Sequence, residues 1–305
     1  MKDLLISHTD LDGISPIILY SLTGNKFDYK NIEIADIMDT FKELFDTNIK
    51  EYRNIYITDL SLPEEAYEMI DQSGLKNVKV FDHHKSHLFA NIHDYVDVVI
   101  DYDGVQTCAT EIFYKFLASQ YKELNKPIIK DYVRMVRELD TYNFTSDMPK
   151  QLDSLRDTYG KTEFMKTIIR RLKGKKDKVE FTTFEKRLVK IQSAEIQRYM
   201  LKKEKKMFRL EINKKKCGVV FAETNKSELG NYLSNKYPEL DLIVLIDASS
   251  RISYRTSRDD VDVAEFAEIY GGGGHKRASG SILTEEDQLA IIDYYFKNVK
   301  RISEN

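Results

Sequence analysis

The sequence predicts an α/β protein with two domains: a mostly parallel sheet with flanking helices, joined by a helical linker to a smaller α/β domain. Short apolar runs alternate with helix-like stretches through the first half, which is typical of a parallel sheet covered on both faces. Strand-like runs begin again in the second half. The chain has 305 residues, more than a typical single domain holds.

Three apolar runs predict strands in the first half, at Leu4–Ser7, Asn54–Leu60 and Asn77–Asp82. Helical patterns are predicted at 15–22, 107–121 and 128–140. A further helix is expected after the second strand, because Ser61 and Glu64 have the spacing of a capping box. In such sheets the ligand site gathers at the carboxyl ends of the strands.

The stretch 173–206 is dense in Lys and Glu and predicts a flexible basic segment followed by a connecting helix. Its lysines are interpreted as a solvated helix face. We therefore expect a first domain over 1–180, a connecting helix over 181–207 and a second domain over 208–305. In the second domain, strands are predicted at 216–223, 241–248 and 251–257, and a last helix begins near Thr284 and Asp287.

Composition excludes several classes of protein. A hydrophobic fraction of 42% and a charged fraction of 32% are those of a globular protein with real cores. The net charge of −3 argues against a protein that wraps long duplex DNA. No apolar run is long enough for a membrane helix, the N-terminus does not look like a secretory signal, and Cys108 and Cys217 lie far apart. We expect a cytoplasmic protein with no membrane partner.

The first chemical motif is HTDLDG, which places His8, Asp10 and Asp12 at alternate positions in a loop. One imidazole and two carboxylates suit a divalent ion such as Mn²⁺, with Mg²⁺ as an alternative. Gly13 is expected to let the chain turn into the following helix. The other interpretation is that Asp12 only caps this helix and that His8 is an ordinary loop residue.

The second motif is FDHHKSH, in which Asp82 precedes the adjacent His83 and His84. A metal-bound imidazole usually needs an orienting carboxylate, and Asp82 is the natural one; the alternative is a surface histidine cluster. Asp59, directly after a β-rich run, and Asp140, at a predicted helix end, are weaker candidates for the same site. His87 and His93 lack such a context and are interpreted as ordinary residues.

The third motif is GGGGHKRASG, 271–280. A glycine run is often a simple turn. Followed by His275 and two cations, Gly273 and Gly274 would also let backbone N–H groups approach a phosphate or a base. Arg255, in SYRTS, is the natural phosphate contact, because a guanidinium matches phosphate geometry bidentately; otherwise it is a surface arginine at a strand edge.

Taken in order, these motifs resemble those of the DHH phosphoesterase superfamily. The resemblance includes HTDLDG, the aspartate of NIYITD, FDHH and the aspartate of RELDT, and it continues through ISYRTS and GGGGHKRASG, which look like the substrate-binding domain called DHHA1. The two-domain layout looks most like the small oligoribonucleases, or nano-RNases, and their cyclic-nucleotide phosphodiesterase relatives.

The resemblance implies a role for each residue. His8 and Asp10 would bind a first metal ion; Asp12, His83 and Asp140 would bind a second; Asp59 would bridge the two. Asp82 would orient His83, and His84 would contact the scissile phosphate. Two divalent cations about 3.5–4 Å apart can share a bridging hydroxide, and Mn²⁺ is the expected metal. The second domain, with Arg255, Gly273, Gly274 and His275, would grip the substrate across a cleft.

The expected function is a metal-dependent phosphodiesterase that degrades short oligoribonucleotides to nucleoside 5′-monophosphates. Its partners would be short single-stranded RNA or a small nucleotide, with a homodimer left open. The alternatives are a cyclic mono- or dinucleotide phosphodiesterase, a 3′-phosphoadenosine 5′-phosphate phosphatase and, more remotely, an inactive nucleotide-binding sensor. A processive exonuclease of the RecJ type and a family pyrophosphatase fit less well.

Overall fold

A computed structural model describes residues 1–47, 49–249 and 251–296. The chain forms two compact units, Met1–Lys190 and Ile191–Asn305. The domain bounds at 180 and 207 stay a prediction, and the end of the predicted last helix lies outside the described residues. Within the part of the chain that the structure describes, no helix is both long and apolar enough to cross a membrane.

A five-stranded sheet with all neighbouring strands parallel forms the centre of the first unit, in the order β2-β1-β3-β4-β5. The predicted parallel sheet is confirmed, and two strands that the sequence analysis missed are added to it. The strands are β1 (Asp3–Ser7), β2 (Phe27–Asn31), β3 (Ile55–Thr58), β4 (Val78–Asp82) and β5 (Val96–Val98). A small hairpin follows, formed by β6 (Asp101–Tyr102) and β7 (Val105–Gln106).

Helices of the first unit alternate with these strands and then follow them. Two of them, α4 and α5, match the helices predicted near 107–121 and 128–140. The helices are α1 (Leu11–Tyr20), α2 (Ile37–Asp46), α3 (Glu64–Ser73), α4 (Ala109–Gln120), α5 (Pro127–Asp140) and α6 (Met148–Leu172), and α7 (Thr183–Glu204) runs into the second unit. Between β4 and β5 the chain forms a 3-10 segment, Lys85–Ile92.

Both faces of the parallel sheet are buried, which explains the nearly continuous apolar runs of its strands. On β1, Leu5 packs into one core cluster, whereas its neighbours Leu4 and Ile6 pack into another. On β3, Tyr56 belongs to the first cluster and Ile57 to the second. Side chains therefore alternate between two cores, and the carboxyl edge of the sheet is left for polar residues.

The second unit contains a six-stranded mixed sheet, in the order β12-β13-β11-β10-β9-β8. Only β9 and β10 pair in parallel, and the other pairs are antiparallel. The strands are β8 (Phe208–Ile212), β9 (Lys215–Phe221), β10 (Leu242–Asp247), β11 (Arg251–Arg255), β12 (Gly273–His275) and β13 (Ala278–Ile282). The helices are α8 (Lys226–Lys236), α9 (Val263–Glu268) and α10 (Glu285–Phe296).

The helix starts predicted at Ser61 and at Thr284 have different outcomes, and a capping box is found only at the second. Thr284 and Asp287 form one at the start of α10, since each backbone N–H donates to the other residue's side chain. At the start of α3 the N-cap is Pro63, with no side-chain cap. A proline disfavours helical geometry in the residue before it, so α3 begins after Pro63 and the predicted role of Ser61 is wrong.

Candidate metal centre

The carboxyl ends of three neighbouring strands bring His8, Asp59 and His83 to one edge of the parallel sheet. His8 follows β1, Asp59 follows β3, and His83 follows β4. Asp59 has a left-handed backbone, with φ of 56°, and its side chain is buried. Its backbone N–H donates to the Phe81 carbonyl at 3.0 Å. A non-glycine residue held in this region is a form of strain that folded proteins tolerate mainly at functional sites.

The HTDLDG loop is fixed at the start of α1 by Asp10, the N-cap, whose Oδ1 accepts the Gly13 N–H at 2.8 Å. Gly13 lies inside α1, so its expected role as a turn residue is wrong. A Cβ at Gly13 would come within 2.3 Å of the His8 carbonyl oxygen. The glycine therefore permits a close approach of two backbone segments, which brings His8 next to the first turn of α1.

Asp12 does cap a helix, but the helix is α4 and not the one that follows it. Its two carboxylate oxygens accept the backbone N–H groups of Ala109 and Thr110, at 2.8 and 2.9 Å. The Thr110 hydroxyl also donates to the Asp12 carbonyl at 2.8 Å. These bonds fix a fully buried carboxylate at the positive end of α4.

A first group of donor atoms is formed by His8, Asp10 and Asp59, all lying within 4.8 Å of one another. His8 Nδ1 lies 3.1 Å from Asp10 Oδ2 and 3.8 Å from Asp59 Oδ2. One imidazole and two carboxylates at this spacing could hold a divalent cation.

A second group is formed by Asp12, His83 and Asp140, again within 4.8 Å. His83 Nε2 lies 3.8 Å from Asp12 Oδ2, and His83 Nδ1 lies 3.4 Å from Asp140 Oδ2. The two groups adjoin, because His83 Nε2 is also 3.5 Å from Asp59 Oδ1. The structure therefore brings together all six residues that were predicted as metal ligands: His8, Asp10, Asp12, Asp59, His83 and Asp140.

Asp82 pairs with His84, whereas the expectation was that it would orient His83. Asp82 Oδ1 lies 2.7 Å from His84 Nδ1 and accepts the backbone N–H of His83 at 2.8 Å. The hydrogen bond to Asp82 raises the pKa of His84. Burial raises the pKa of Asp82, but its bonds to His84 hold it below the usual range. The pair thus presents a half-exposed histidine that favours its protonated form.

Crowded carboxylates dominate the electrostatics of the site. Burial, followed by the charges of Asp12 and Asp10, raises the pKa of Asp59 well above its usual range. Burial and the charge of Asp12 raise the pKa of Asp140 to about 8. Burial also lowers the pKa of His83. Without a cation, the site therefore favours protonated carboxyl groups at Asp59 and Asp140 and a neutral imidazole at His83, whereas the hydrogen bond with Asp10 raises the pKa of His8.

The fit to a metal ion is tested by the buried polar atoms. Asp59 Oδ2 and His83 Nε2 are buried and form no hydrogen bond among the described residues. Such atoms are costly unless something binds them. A divalent cation would satisfy both atoms and offset the carboxylate charges, and the oxygen-rich donor set suits a hard or borderline ion. The residues present therefore fit divalent metal.

Three residues near the site were missed by the sequence analysis. Glu33 Oε2 lies 3.5 Å from His8 Nε2, and Asn31 Nδ2 donates to the His8 carbonyl at 2.7 Å. Asn31 is the last residue of β2, and Glu33 lies two residues after it. Both were missed because the β2 sequence, FDYKN, lacks the apolar pattern that predicts a strand. Arg156 on α6 is a nearby cation; burial lowers its pKa, and carboxylates that include Asp10 raise it. Only the alternation of elements could have indicated an extra strand before Glu33.

His87 and His93 belong to none of the donor groups found among the described residues. His93 stacks on Tyr67 with ring centroids 5.1 Å apart, and its Nδ1 lies 3.2 Å from Asp71. The His87 ring nitrogen lies 3.0 Å from the Ser86 hydroxyl. These local partners agree with their interpretation as ordinary residues.

In the second unit, the predicted substrate-binding residues lie at the β12 side of the sheet. The register places His275 and Arg255 on either side of Ala278. The glycine run is not a simple turn, since part of it forms β12. A Cβ at Gly274 would come within 2.7 Å of Ser279 Cα, whereas one at Gly273 would meet open space. Arg255 Nη1 donates to the Tyr254 carbonyl at 2.9 Å.

This fold and this site define a class of protein: an α/β protein of two units with a carboxylate-rich centre that could hold divalent metal. The oligoribonuclease NrnB of Bacillus subtilis (strain 168) is 33% identical in an alignment of 293 positions that covers 92% of this chain and 73% of that protein. The chain belongs to the family of that protein, the DHH phosphoesterases. No family model matches the chain.

Solved structures with the same fold are more distant in sequence. A DHH domain described as belonging to a member of a ribosomal protein family is 15% identical, with a TM-score of 0.62 over 97% of this chain and 87% of that one. The pGpG-specific phosphodiesterase PggH of Vibrio cholerae is 14% identical, with a TM-score of 0.55 over 96% and 97%. Exonuclease RecJ bound to manganese is 12% identical, with a TM-score of 0.56 over 95% and 88%.

Proposed function

We propose that this protein hydrolyses the phosphodiester bonds of short oligoribonucleotides and releases nucleoside 5′-monophosphates. The observation that carries the proposal is the pair of adjoining donor groups that meet at Asp59 and His83, where two buried donor atoms form no hydrogen bond among the described residues. Family membership with an oligoribonuclease supports the choice of short RNA as substrate.

Two divalent cations, Mn²⁺ in our proposal, would supply the activated water and the charge that a phosphodiester needs. His8, Asp10 and Asp59 would hold one cation, and Asp12, His83 and Asp140 would hold the other, with Asp59 shared. RecJ, a structural neighbour, is described as bound to manganese, which supports the choice of metal.

His84 would donate a hydrogen bond to a non-bridging oxygen of the scissile phosphate. Asp82 fixes the ring through its 2.7 Å contact with Nδ1, so the other ring nitrogen is the one available to substrate. Because the Asp82 hydrogen bond raises the pKa of His84, the histidine remains a donor over a wider pH range. A protonated imidazole also offsets charge on the phosphate.

The second unit would bind the part of the substrate away from the scissile bond, through Arg255, Gly273, Gly274 and His275. The sheet register that places His275 and Arg255 on either side of Ala278 supports a shared anion or base contact. The open space over Gly273 is compatible with a backbone N–H that approaches a phosphate.

The test is a time course with Mn²⁺ on end-labelled RNA of two, five and twenty nucleotides. Linear pGpG, a cyclic dinucleotide and 3′-phosphoadenosine 5′-phosphate are run alongside, and an Asp82→Ala/His83→Ala double variant controls for contaminating nucleases. Fast loss of the two-nucleotide RNA, absent in the double variant, is the expected result. Faster turnover of the cyclic dinucleotide or of the bisphosphate would contradict the proposal that short RNA is the substrate. No turnover of any of these compounds would contradict the proposal that the protein is a phosphodiesterase.

A further inference from the structure

Tyr142 is the most exposed aromatic side chain among the described residues of the first unit, with 79% of its surface accessible. It follows the end of α5, two residues after Asp140 of the second donor group. Two steps of about 3.8 Å put its Cα within about 8 Å of the Asp140 Cα. A large aromatic ring in water next to the candidate centre calls for an explanation.

The backbone of Tyr142 makes the choice of residue more unusual. Its φ is 55°, in the left-handed region, and the Asn143 N–H that follows it donates to the Glu138 carbonyl at 3.1 Å. Helices commonly end on a left-handed residue of this kind, and glycine is the residue that fits it best. A tyrosine here disfavours the fold locally and buries almost none of its ring in return.

The turn that carries Tyr142 is fixed by hydrogen bonds to the Glu138 side chain. Glu138 is buried, and its carboxylate accepts the Thr145 N–H at 3.1 Å and the Thr145 hydroxyl at 2.7 Å. Arg134 Nη1 contacts the same carboxylate at 2.5 Å. The backbone of the turn is therefore pre-organised, so less of the chain has to be ordered when a ligand contacts a side chain on it.

The neighbours of Tyr142 suit a nucleotide. The Phe144 ring lies 6.0 Å away, at an interplanar angle of 81°, so a single edge-to-face contact leaves at least one face of Tyr142 open. Lys150 Nζ lies 4.3 Å from the Phe144 ring centre, and it forms no ion pair within the described part of the chain. An open aromatic face, with a cation on the adjoining ring of Phe144, matches the stacking surface and the phosphate contact of proteins that bind single-stranded nucleic acid.

We propose that Tyr142 is a stacking surface for one nucleobase of the substrate, next to the scissile phosphate, with Lys150 near the neighbouring phosphate. This inference rests on the proposed function and deepens it, since it names a base contact in the catalytic unit. It explains why a bulky residue occupies a position that favours glycine. The unfavourable backbone conformation of Tyr142 would be offset by a stacking contact that forms only when substrate binds.

The test compares Tyr142→Gly with wild type on the dinucleotide pApA and on two analogues in which one base, 5′ or 3′, is replaced by an abasic ribose. Losing a stacked base costs about tenfold in binding, so Tyr142→Gly is expected to lower kcat/KM on pApA by about that factor. On the analogue that lacks the stacked base, the two proteins should agree within about twofold. Tyr142→Phe should retain the activity on pApA.

Measuring the Tm of the variants distinguishes a role of Tyr142 in substrate binding from a role in stabilising the fold. Tyr142→Gly relieves the left-handed tyrosine, so its Tm should equal or exceed that of wild type while its activity falls. Phe184→Ala, which removes another exposed ring (64% accessible) at the start of α7, is the matched control and should leave kcat/KM unchanged.

Equal activity of Tyr142→Gly and wild type on pApA would overturn the inference. So would a loss of the same size on both abasic analogues, because that would mean a general disturbance of the site. If wild type cleaves none of the three dinucleotides while it binds metal, the proposed function itself fails, and this result is distinct from the other two.

Discussion

The two ends of the parallel sheet in the first unit each contain a buried carboxylate, and the two carboxylates differ in the partners that surround them. At the amino end of β1, Asp3 is fully buried and contacts Arg53 at 2.5 and 3.0 Å and Asn54 at 2.9 Å. At the carboxyl end of β3, Asp59 is also buried but faces other aspartates, and its Oδ2 has no hydrogen bond among the described residues.

The pKa values of the two groups shift in opposite directions. Burial raises the pKa of Asp3, but the hydrogen bonds from Arg53 and its neighbours more than offset this and lower it. Burial and the neighbouring charges raise the pKa of Asp59. A carboxylate that the chain itself satisfies is structural, whereas one that the chain leaves unsatisfied among like charges is suited to a cation from outside. The comparison therefore separates scaffold from site by the partners of each group.

The largest effect expected from this contrast is on catalysis. Asp59→Asn should lower kcat/KM on two-nucleotide RNA by more than about 100-fold, because even the partners of metal ligands are worth about 10–100-fold. Asp3→Asn should stay within about twofold of wild type, since Asp3 and His8 are five steps apart along an extended strand, about 17 Å. Steady-state kinetics below the Tm of both variants check this, and similar losses in both would break the comparison.

Metal and pH should act together on stability. The pKa of Asp59 is raised, and that of Asp140 is raised to about 8. The folded metal-free protein therefore keeps protons on these two groups at pH values where the unfolded chain, whose aspartates titrate near pH 4, has released them. Its free energy of unfolding should therefore fall as pH rises from about 4 to about 8. Mn²⁺ at 100 times its Kd should add about 2.7 kcal/mol per site.

Thermal denaturation from pH 5 to 9, with EDTA or with Mn²⁺, measures this coupling. The gain in Tm from Mn²⁺ should be larger at pH 8 than at pH 5, where protons compete with the cation. Asp3 contributes no trend in this range, because its lowered pKa leaves it ionised throughout. A Tm of the metal-free protein that rises across the same range would contradict the assignment of the cluster.

At the amino end, Asp3→Asn should destabilise the protein by about 2 kcal/mol, since it removes a charged partner of Arg53 inside a buried hydrogen-bond set. Asp59→Asn should instead stabilise the metal-free protein at pH 8, because a neutral amide removes the cost of keeping this buried carboxyl group either protonated at that pH or charged beside other carboxylates. Urea denaturation in EDTA measures both. The free energy of unfolding should therefore decrease in Asp3→Asn and increase in Asp59→Asn. A decrease in both variants would contradict the distinction between the two carboxyl groups.

The smallest effect concerns Asp82, which lies at the carboxyl edge and yet is paired. Asp82→Asn should lower kcat/KM by about tenfold, the low end for a residue that orients another. The pKa of His84 should fall towards its usual value, because the hydrogen bond that raises it is weakened. The high-pH fall of kcat/KM should then occur at lower pH. An unchanged pH profile would mean that His84 does not act as a protonated donor.

Much of this site was predictable from the sequence, because each candidate follows a recognisable local signal. His8, Asp59 and His83 stand directly after strands, and parallel strands bring their carboxyl ends to one edge. Asp140 was identified mainly by its order in the family motifs and its place at a predicted helix end, and its carboxylate lies 3.4 Å from His83.

The errors came from features that depend on three-dimensional contacts. The pairing of Asp82 with His84 in place of His83 depends on side-chain direction, which adjacent positions in a sequence do not reveal. The use of Asp12 as a cap for α4 joins segments 97 residues apart. β2 was missed because a short, half-exposed edge strand lacks the apolar pattern on which such predictions depend.

The double use of Asp12 has a consequence for how this chain could change over generations. Its carboxylate belongs to the second donor group and also accepts the first amides of α4, so replacing it would cost both a ligand and the anchor of a buried helix. Asp140 accepts no such bonds in the described structure. A descendant that gives up catalysis but keeps the fold would therefore lose Asp140 more readily than Asp12.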